Sequence, residues 1–207
     1  RVEAGVTDKP PTVQAACEHY VTHQRTEKSD KAANDAEGRF KRLVYGTAFG
    51  KIKLDKLNTI KVRAWRNAQI PKGDDFDDDT VRRAKDSTNR NLATLKAALN
   101  LAHRDRLTSS DDAWKTVTAF EKVGKRRTIF LNTDERRKLV AQCGDGLREL
   151  VIALLMTGIR PGELAGCDVA DFDKITGTLT IRISKTEART VPLSTAAIEH
   201  FKTATKD

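Results

Sequence analysis

The sequence predicts a mainly α protein of two domains. A four-helix bundle is expected over residues 1–120, a basic linker over 121–128, and a smaller α+β domain with a β-hairpin over 129–207. Three observations predict this. Apolar residues recur at helical spacing through the first 120 positions. A stretch without periodicity follows, carrying Gly124-Lys-Arg-Arg127, and beyond it Leu179, Ile181 and Ile183 alternate with polar residues. The composition, 32% charged and 38% hydrophobic, is that of an ordinary folded domain. The longest apolar run, Leu150–Met156, is far short of the roughly 20 residues a membrane span needs.

In the first domain, Pro10 and Pro11 precede Val13, Ala16, Cys17, Tyr20 and Val21, a helical stripe with proline expected in its first turn. A second helix runs from about Ser29 through Val44. Phe40, Leu43 and Val44 form its apolar face, and Gly46 and Gly50 end it. Asn58 or Thr59 caps a third helix, with Ile60, Ala64, Trp65 and Ala68 expected on its inner face. Pro71, Gly73 and the acidic run Asp74–Asp79 mark an exposed loop. A fourth short helix carries Asn89-Arg90-Asn91-Leu92 near its start and buries Leu92, Leu95, Leu99 and Ala102.

In the second domain, Asn132 and Glu135 have the spacing of a capping box, opening a helix through Leu139 and Val140. A more buried helix spans Leu147–Met156. Gly158 terminates it, and Pro161 starts the next, so Arg160 sits on a tight junction between two helices. The alternating strand ends at Ser184-Lys-Thr-Glu-Ala188, with Lys185 near the hairpin tip. Val191 and Leu193 return, and a last helix begins near Ser194.

Net charge is +9, and its distribution is uneven. Residues 1–128 carry 27 Lys and Arg against 18 Asp and Glu, whereas residues 129–207 carry 11 of each. This asymmetry suits an N-terminal module that meets a polyanion, and it equally fits a solvated basic surface. Three scattered cysteines and four histidines give no metal spacing. His19 and His23, at i and i+4, read as a surface helix face rather than a metal pair. A reduced, cytoplasmic protein without metal or cofactor is expected. The chain opens at Arg1 with no signal-peptide pattern and reads as an excised piece of a longer protein.

Thr157-Gly-Ile-Arg-Pro-Gly-Glu-Leu164 resembles the first arginine motif of the tyrosine recombinases, the phage-integrase superfamily. Lys185-Thr-x-x-Arg-Thr-Val-Pro-Leu193 is similar to that family's lysine-bearing hairpin. Leu57-Asn-Thr-Ile-Lys-Val-Arg-Ala-Trp65 and Ser87–Leu99 resemble its helical, SAM-like core-binding domain, so the resemblance runs from about Pro11 to the end. It implies site-specific recombination of DNA, in which a tyrosine attacks a phosphodiester and leaves a 3′-phosphotyrosyl link. Arg160 would hold the non-bridging oxygens, since a planar guanidinium stays charged and donates two parallel bonds. Glu163 would orient Arg160, although a carboxylate is also favoured at any helix start. Lys185 would protonate the leaving 5′-oxygen, although turn lysines are usually only solvated.

The resemblance implies duplex DNA as partner, with contacts drawn from Arg39, Lys41, Arg42, Arg63, Arg66, Arg82, Arg83, Asn89, Arg90 and Lys96. The linker's Lys125, Arg126 and Arg127 join them. It also implies a tetramer on DNA for the longer enzyme, with accessory DNA-bending proteins as further partners. The family's later His-x-x-Arg helix and nucleophilic tyrosine do not occur. The only tyrosines are Tyr20 and Tyr45, and the only histidine after Lys185 is His200. The expectation is a DNA-binding piece of a recombinase that does not itself cleave. The alternative is a naturally truncated, non-catalytic protein occupying attachment sites.

Overall fold

The computed structural model describes residues 11–73, 75–124, 129–184 and 187–205. The chain divides into two compact units, Arg1–Arg126 and Arg127–Asp207.

The first unit is helical: α1 (Val13–Glu27), α2 (Asp30–Leu43), α3 (Thr59–Asn67), α4 (Asp78–Arg104) and the single turn α5 (Asp112–Lys115). Local signals set the starts. Thr12, Ser29, Asn58 and Asp77 each accept a backbone N–H of the first turn through the side chain. Pro11 therefore stands before the cap of α1 and not inside its first turn. The Asp77–Asp79 part of the expected loop is instead the start of α4, where carboxylates favour the exposed N–H groups. That helix is 27 residues long, not short, so Asn89 and Arg90 lie in its middle rather than at an N-terminus.

Val13, Cys17, Phe40, Val44, Val62, Leu95, Leu99 and Trp114 form one core. On α3 the inner face is Val62 and Trp65. Ile60, expected inside, is 76% exposed because the cap at Asn58 turns it outward. Both tryptophans satisfy their indole N–H, Trp65 on Leu43 O at 2.9 Å and Trp114 on Asn100 Oδ1 at 2.6 Å. Gly50 lies so close to the backbone of Val44 that a Cβ would stand 2.2 Å from its carbonyl oxygen. This approach lets Gly50 O accept from Gln14 N and tie the loop to α1.

The second unit holds α6 (Thr133–Gln142), α7 (Asp145–Thr157), α8 (Pro161–Leu164), β1 (Phe172–Asp173), β2 (Thr178–Ile181), β3 (Arg189–Pro192) and α9 (Thr195–Ala204). The Asn132–Glu135 capping box closes reciprocally at 2.9 and 2.7 Å. Gly158 ends α7 at φ +65°, the left-handed conformation that glycine adopts freely, and Pro161 opens α8. The hairpin strands pair antiparallel, Leu179 with Val191 and Ile181 with Arg189, and β1 adds a third strand beside β2. Ile183 lies beyond β2 and is 78% exposed, because the ladder ends at Ile181. A small core gathers Ala153, Ile159, Leu164, Phe172, Leu179 and Ile181. The expected burial of α7 is limited to one face: Leu147, Leu155 and Met156 are exposed.

Candidate functional site

The site in the second unit grows from the α7–α8 junction. Gly158 reverses the chain, Arg160 stands at the cap of α8, and Glu163 follows one turn on, buried. Glu163 is the hub. Its Oε1 accepts from Arg160 Nη1 at 2.8 Å, Ser184 Oγ at 2.9 Å and Arg189 Nη1 at 3.3 Å. Its Oε2 accepts from Arg189 Nη2 at 2.6 Å. Arg189 also donates to Ser184 Oγ at 3.2 Å. The bond from Arg189, followed by those from Arg160 and Ser184, holds the Glu163 carboxyl down to about 2 against the opposing effect of burial. The same pairing raises the Arg189 guanidinium above its ordinary value.

Arg160 itself is 59% exposed. Among the described residues only its Nη1 is engaged. The arrangement is therefore a positively charged fork held by a buried carboxylate, with an edge free for an oxyanion. A second ionic contact lies at the other arm of the hairpin. Arg182 forms an ion pair with buried Asp171, its Nε 2.8 Å from Oδ1, and donates through Nη2 to Asp171 Oδ2 at 2.9 Å and to Asp168.

The structure thus brings Glu163 onto Arg160. Lys185 falls outside the described residues, although its neighbour Ser184 is on Glu163. Arg189, Ser184 and the Arg182–Asp171 pair were not singled out from sequence. For Arg189 a signal existed: it follows Lys185 by four positions, at the start of the return strand.

The basic candidates of the first unit divide by what they hold. Asn89 grips both backbone groups of Phe120, at 2.9 and 2.7 Å, and Lys96 donates to Lys115 O and Val117 O. Arg66 donates to Thr118 O and lies over the Phe120 ring at 4.3 Å, while Arg82 reaches Val123 O at 2.8 Å. These four pin residues 115–123 along the bundle, and Val123 is buried there. Arg39 pairs with Asp35 and donates to Asn91, Lys41 pairs with Glu37, Arg83 with Asp79, and Arg90 with Asp86. Arg42 and Arg63 are exposed and make no hydrogen bond or ion pair with a described residue. Lys125, Arg126 and Arg127 lie outside the described residues.

His19 contacts Asp105 at 2.7 Å and His23 contacts Arg104, so the two imidazoles serve a helix–helix surface. Tyr20 and Tyr45 both pack on Phe40. Burial raises both phenols, Tyr45 to about 12.

Comparison with known proteins bears on this geometry. No protein-family model matches the chain. A tyrosine recombinase XerC from Thermodesulfovibrio yellowstonii is 25% identical over 196 residues, covering 89% of this chain and 59% of the relative. Among solved structures, the Tn1549 transposon integrase in complex with a circular intermediate DNA superimposes with a TM-score of 0.68 at 15% identity, over 95% of this chain and 66% of that one. The lambda integrase tetramer bound to a Holliday junction gives 0.70 at 20% identity, over 93% and 52%. The chain thus spans between about half and two thirds of the length of these relatives. The sequence is thus similar to a tyrosine recombinase, and the fold is shared with the two integrases.

Proposed function

We propose that this chain is the core-binding and arginine-bearing part of a site-specific DNA recombinase. In this reading it binds duplex DNA and grips a backbone phosphate with Arg160. The observation that carries the reading is the Arg160–Glu163 pair: a half-exposed guanidinium held by a buried carboxylate through one nitrogen only. Such a group meets developing negative charge on phosphate oxygens without having to reorganise. Lys185, which follows β2 in sequence, donates the proton to the leaving 5′-oxygen in the longer enzyme. Core-binding contacts come first from Arg42 and Arg63, whose charges no described carboxylate neutralises, and from Lys125, Arg126 and Arg127 of the linker. The paired arginines contribute where DNA displaces an exposed carboxylate. Assembly as a tetramer on DNA, accessory bending proteins and a cytoplasmic location belong to the same reading. Among the described residues no helix is long and apolar enough to cross a membrane.

The chain should bind duplex without cleaving it. Its two tyrosines are tied into the first unit's core, and their raised phenols oppose formation of the phenolate that would attack. That observation also favours a second reading, a non-catalytic protein that occupies attachment sites. The reading frame beyond Asp207 separates the two. A frame that continues to a tyrosine supports the recombinase, and a stop codon supports the occupier. The DNA role itself is tested by titrating a mixed-sequence 30-base-pair duplex at several salt concentrations. Log K should fall against log[salt] with a slope of about −0.9 per phosphate neutralised, and a flat response would refute the role.

A further inference from the structure

We infer that Arg189 is a positioning residue that occupies Glu163 through both carboxylate oxygens and thereby keeps Glu163 from sequestering Arg160. The inference rests on the reading of Arg160 as the phosphate-gripping group. It starts from an asymmetry in the cluster. Arg189 reaches Oε2 at 2.6 Å and Oε1 at 3.3 Å, one guanidinium spanning both oxygens, whereas Arg160 has a single bond to Oε1. Two parallel bonds, fork to fork, are the strongest geometry open to a carboxylate and a guanidinium. Here that geometry is already taken by Arg189 from the facing strand. Among the described residues Arg160 makes one anchoring bond, through Nη1, and none through Nε or Nη2.

Charge points the same way. Arg160, Arg189 and Glu163 together carry one net positive charge. Without Arg189 the remaining pair is neutral, and the site loses the field that would draw a phosphate. Ser184 fixes the arrangement from the other side, donating to Glu163 Oε1 at 2.9 Å and accepting from Arg189 at 3.2 Å. The two arms of the hairpin therefore converge on one carboxylate. Arg189 needs no contact with DNA for this role. It acts through Glu163 on the charge and orientation of Arg160.

The test is duplex affinity of the whole chain across a set of variants, with a 30-base-pair duplex as probe and each fold checked by circular dichroism. Arg189→Ala should weaken binding by about fivefold, the size of an ordinary coupling between neighbouring charged groups. Adding Glu163→Gln to Arg189→Ala should restore most of the loss, because the carboxylate that captures Arg160 is gone. A merely structural role for Arg189 predicts no such rescue. Arg189→Ala should cost less in the Arg160→Ala background than in the parent, because only the loss of charge remains there. Arg189→Lys, which keeps the charge but cannot span both oxygens, should fall between parent and Arg189→Ala.

The inference is overturned if Arg189→Ala binds like the parent while Arg160→Ala does not. It is also overturned if Glu163→Gln fails to rescue, or if Arg189→Ala weakens binding equally with Arg160 absent, which would make Arg189 a direct contact. Should Arg160→Ala leave affinity unchanged, the phosphate-gripping reading fails, and the pairing is then decided by nitrogen NMR of the Arg160 guanidinium. New protection of its Nε–H in Arg189→Ala shows capture by Glu163 and keeps the pairing. An unchanged signal refutes it.

Discussion

The two units hold themselves together differently. The first closes an apolar core around Leu95, Leu99, Trp114 and Val62, and many of its ion pairs join exposed residues along one helix, such as Arg90–Asp86 and Arg83–Asp79. The second has a small core and leaves Leu147, Leu155 and Met156 of α7 in solvent. Its carboxylates Glu163 and Asp171, by contrast, are buried under arginines from the hairpin. Exposed helix pairs contribute little to stability, whereas a buried carboxylate without its partners is strongly unfavourable. The comparison teaches that charge in the first unit lies on exposed helix faces or pins the 115–123 segment through backbone carbonyls, while in the second it gathers on buried carboxylates at the site.

The largest way to break the comparison is Trp114→Ala. It removes a fully buried ring, and should cost about 3–5 kcal/mol in urea unfolding. Trp65 fluorescence reports the transition, since both tryptophans lie in the first unit. A loss under 1 kcal/mol would show that this core is not closed. Next, Gly50→Ala forces the loop off Val44 and should cost about 1–3 kcal/mol by the same assay. Unchanged stability would mean the close approach is dispensable.

Acid acts on the second unit. The Glu163 carboxyl is depressed from 4.5 to about 2, so its clasp is fully formed above about pH 4.5 and is lost as pH falls toward 2. Hairpin amide signals at Thr190 and Val191 should move through that window, and Glu163→Gln should abolish the movement. A hairpin titration that persists in the variant would assign it to another group. The smallest effect belongs to Arg90→Ala, about 0.3–0.5 kcal/mol, because Arg90–Asp86 is an exposed pair four residues apart on α4. A loss above 1 kcal/mol would place it among the structural residues of the first unit.

Much of this was legible wherever a short-range signal decides the outcome. Asn132 with Glu135, Gly158 before Pro161, and the alternation through Leu179 and Ile181 each fix local structure within a few residues, and the structure has all three. Signals failed where distant partners decide. The acidic run before α4 has a loop's composition, yet Asp77 caps a helix that Asp78 and Asp79 then favour electrostatically. Nor did the sequence show that Asn89, Lys96, Arg66 and Arg82, read as DNA-contact candidates, also hold the chain itself. Their partners are backbone groups some 19 to 52 positions away, and no local pattern announces them. Arg189 was hidden for the same reason, since its carboxylate lies 26 residues earlier.

The most direct test of the account is the salt dependence of duplex binding by the parent chain and by Arg160→Ala, measured side by side. If Arg160 neutralises a phosphate, the variant binds more weakly and its slope of log K against log[salt] is shallower by about 0.9. Parallel slopes with equal affinity would contradict the account and remove Arg160 from the DNA interface.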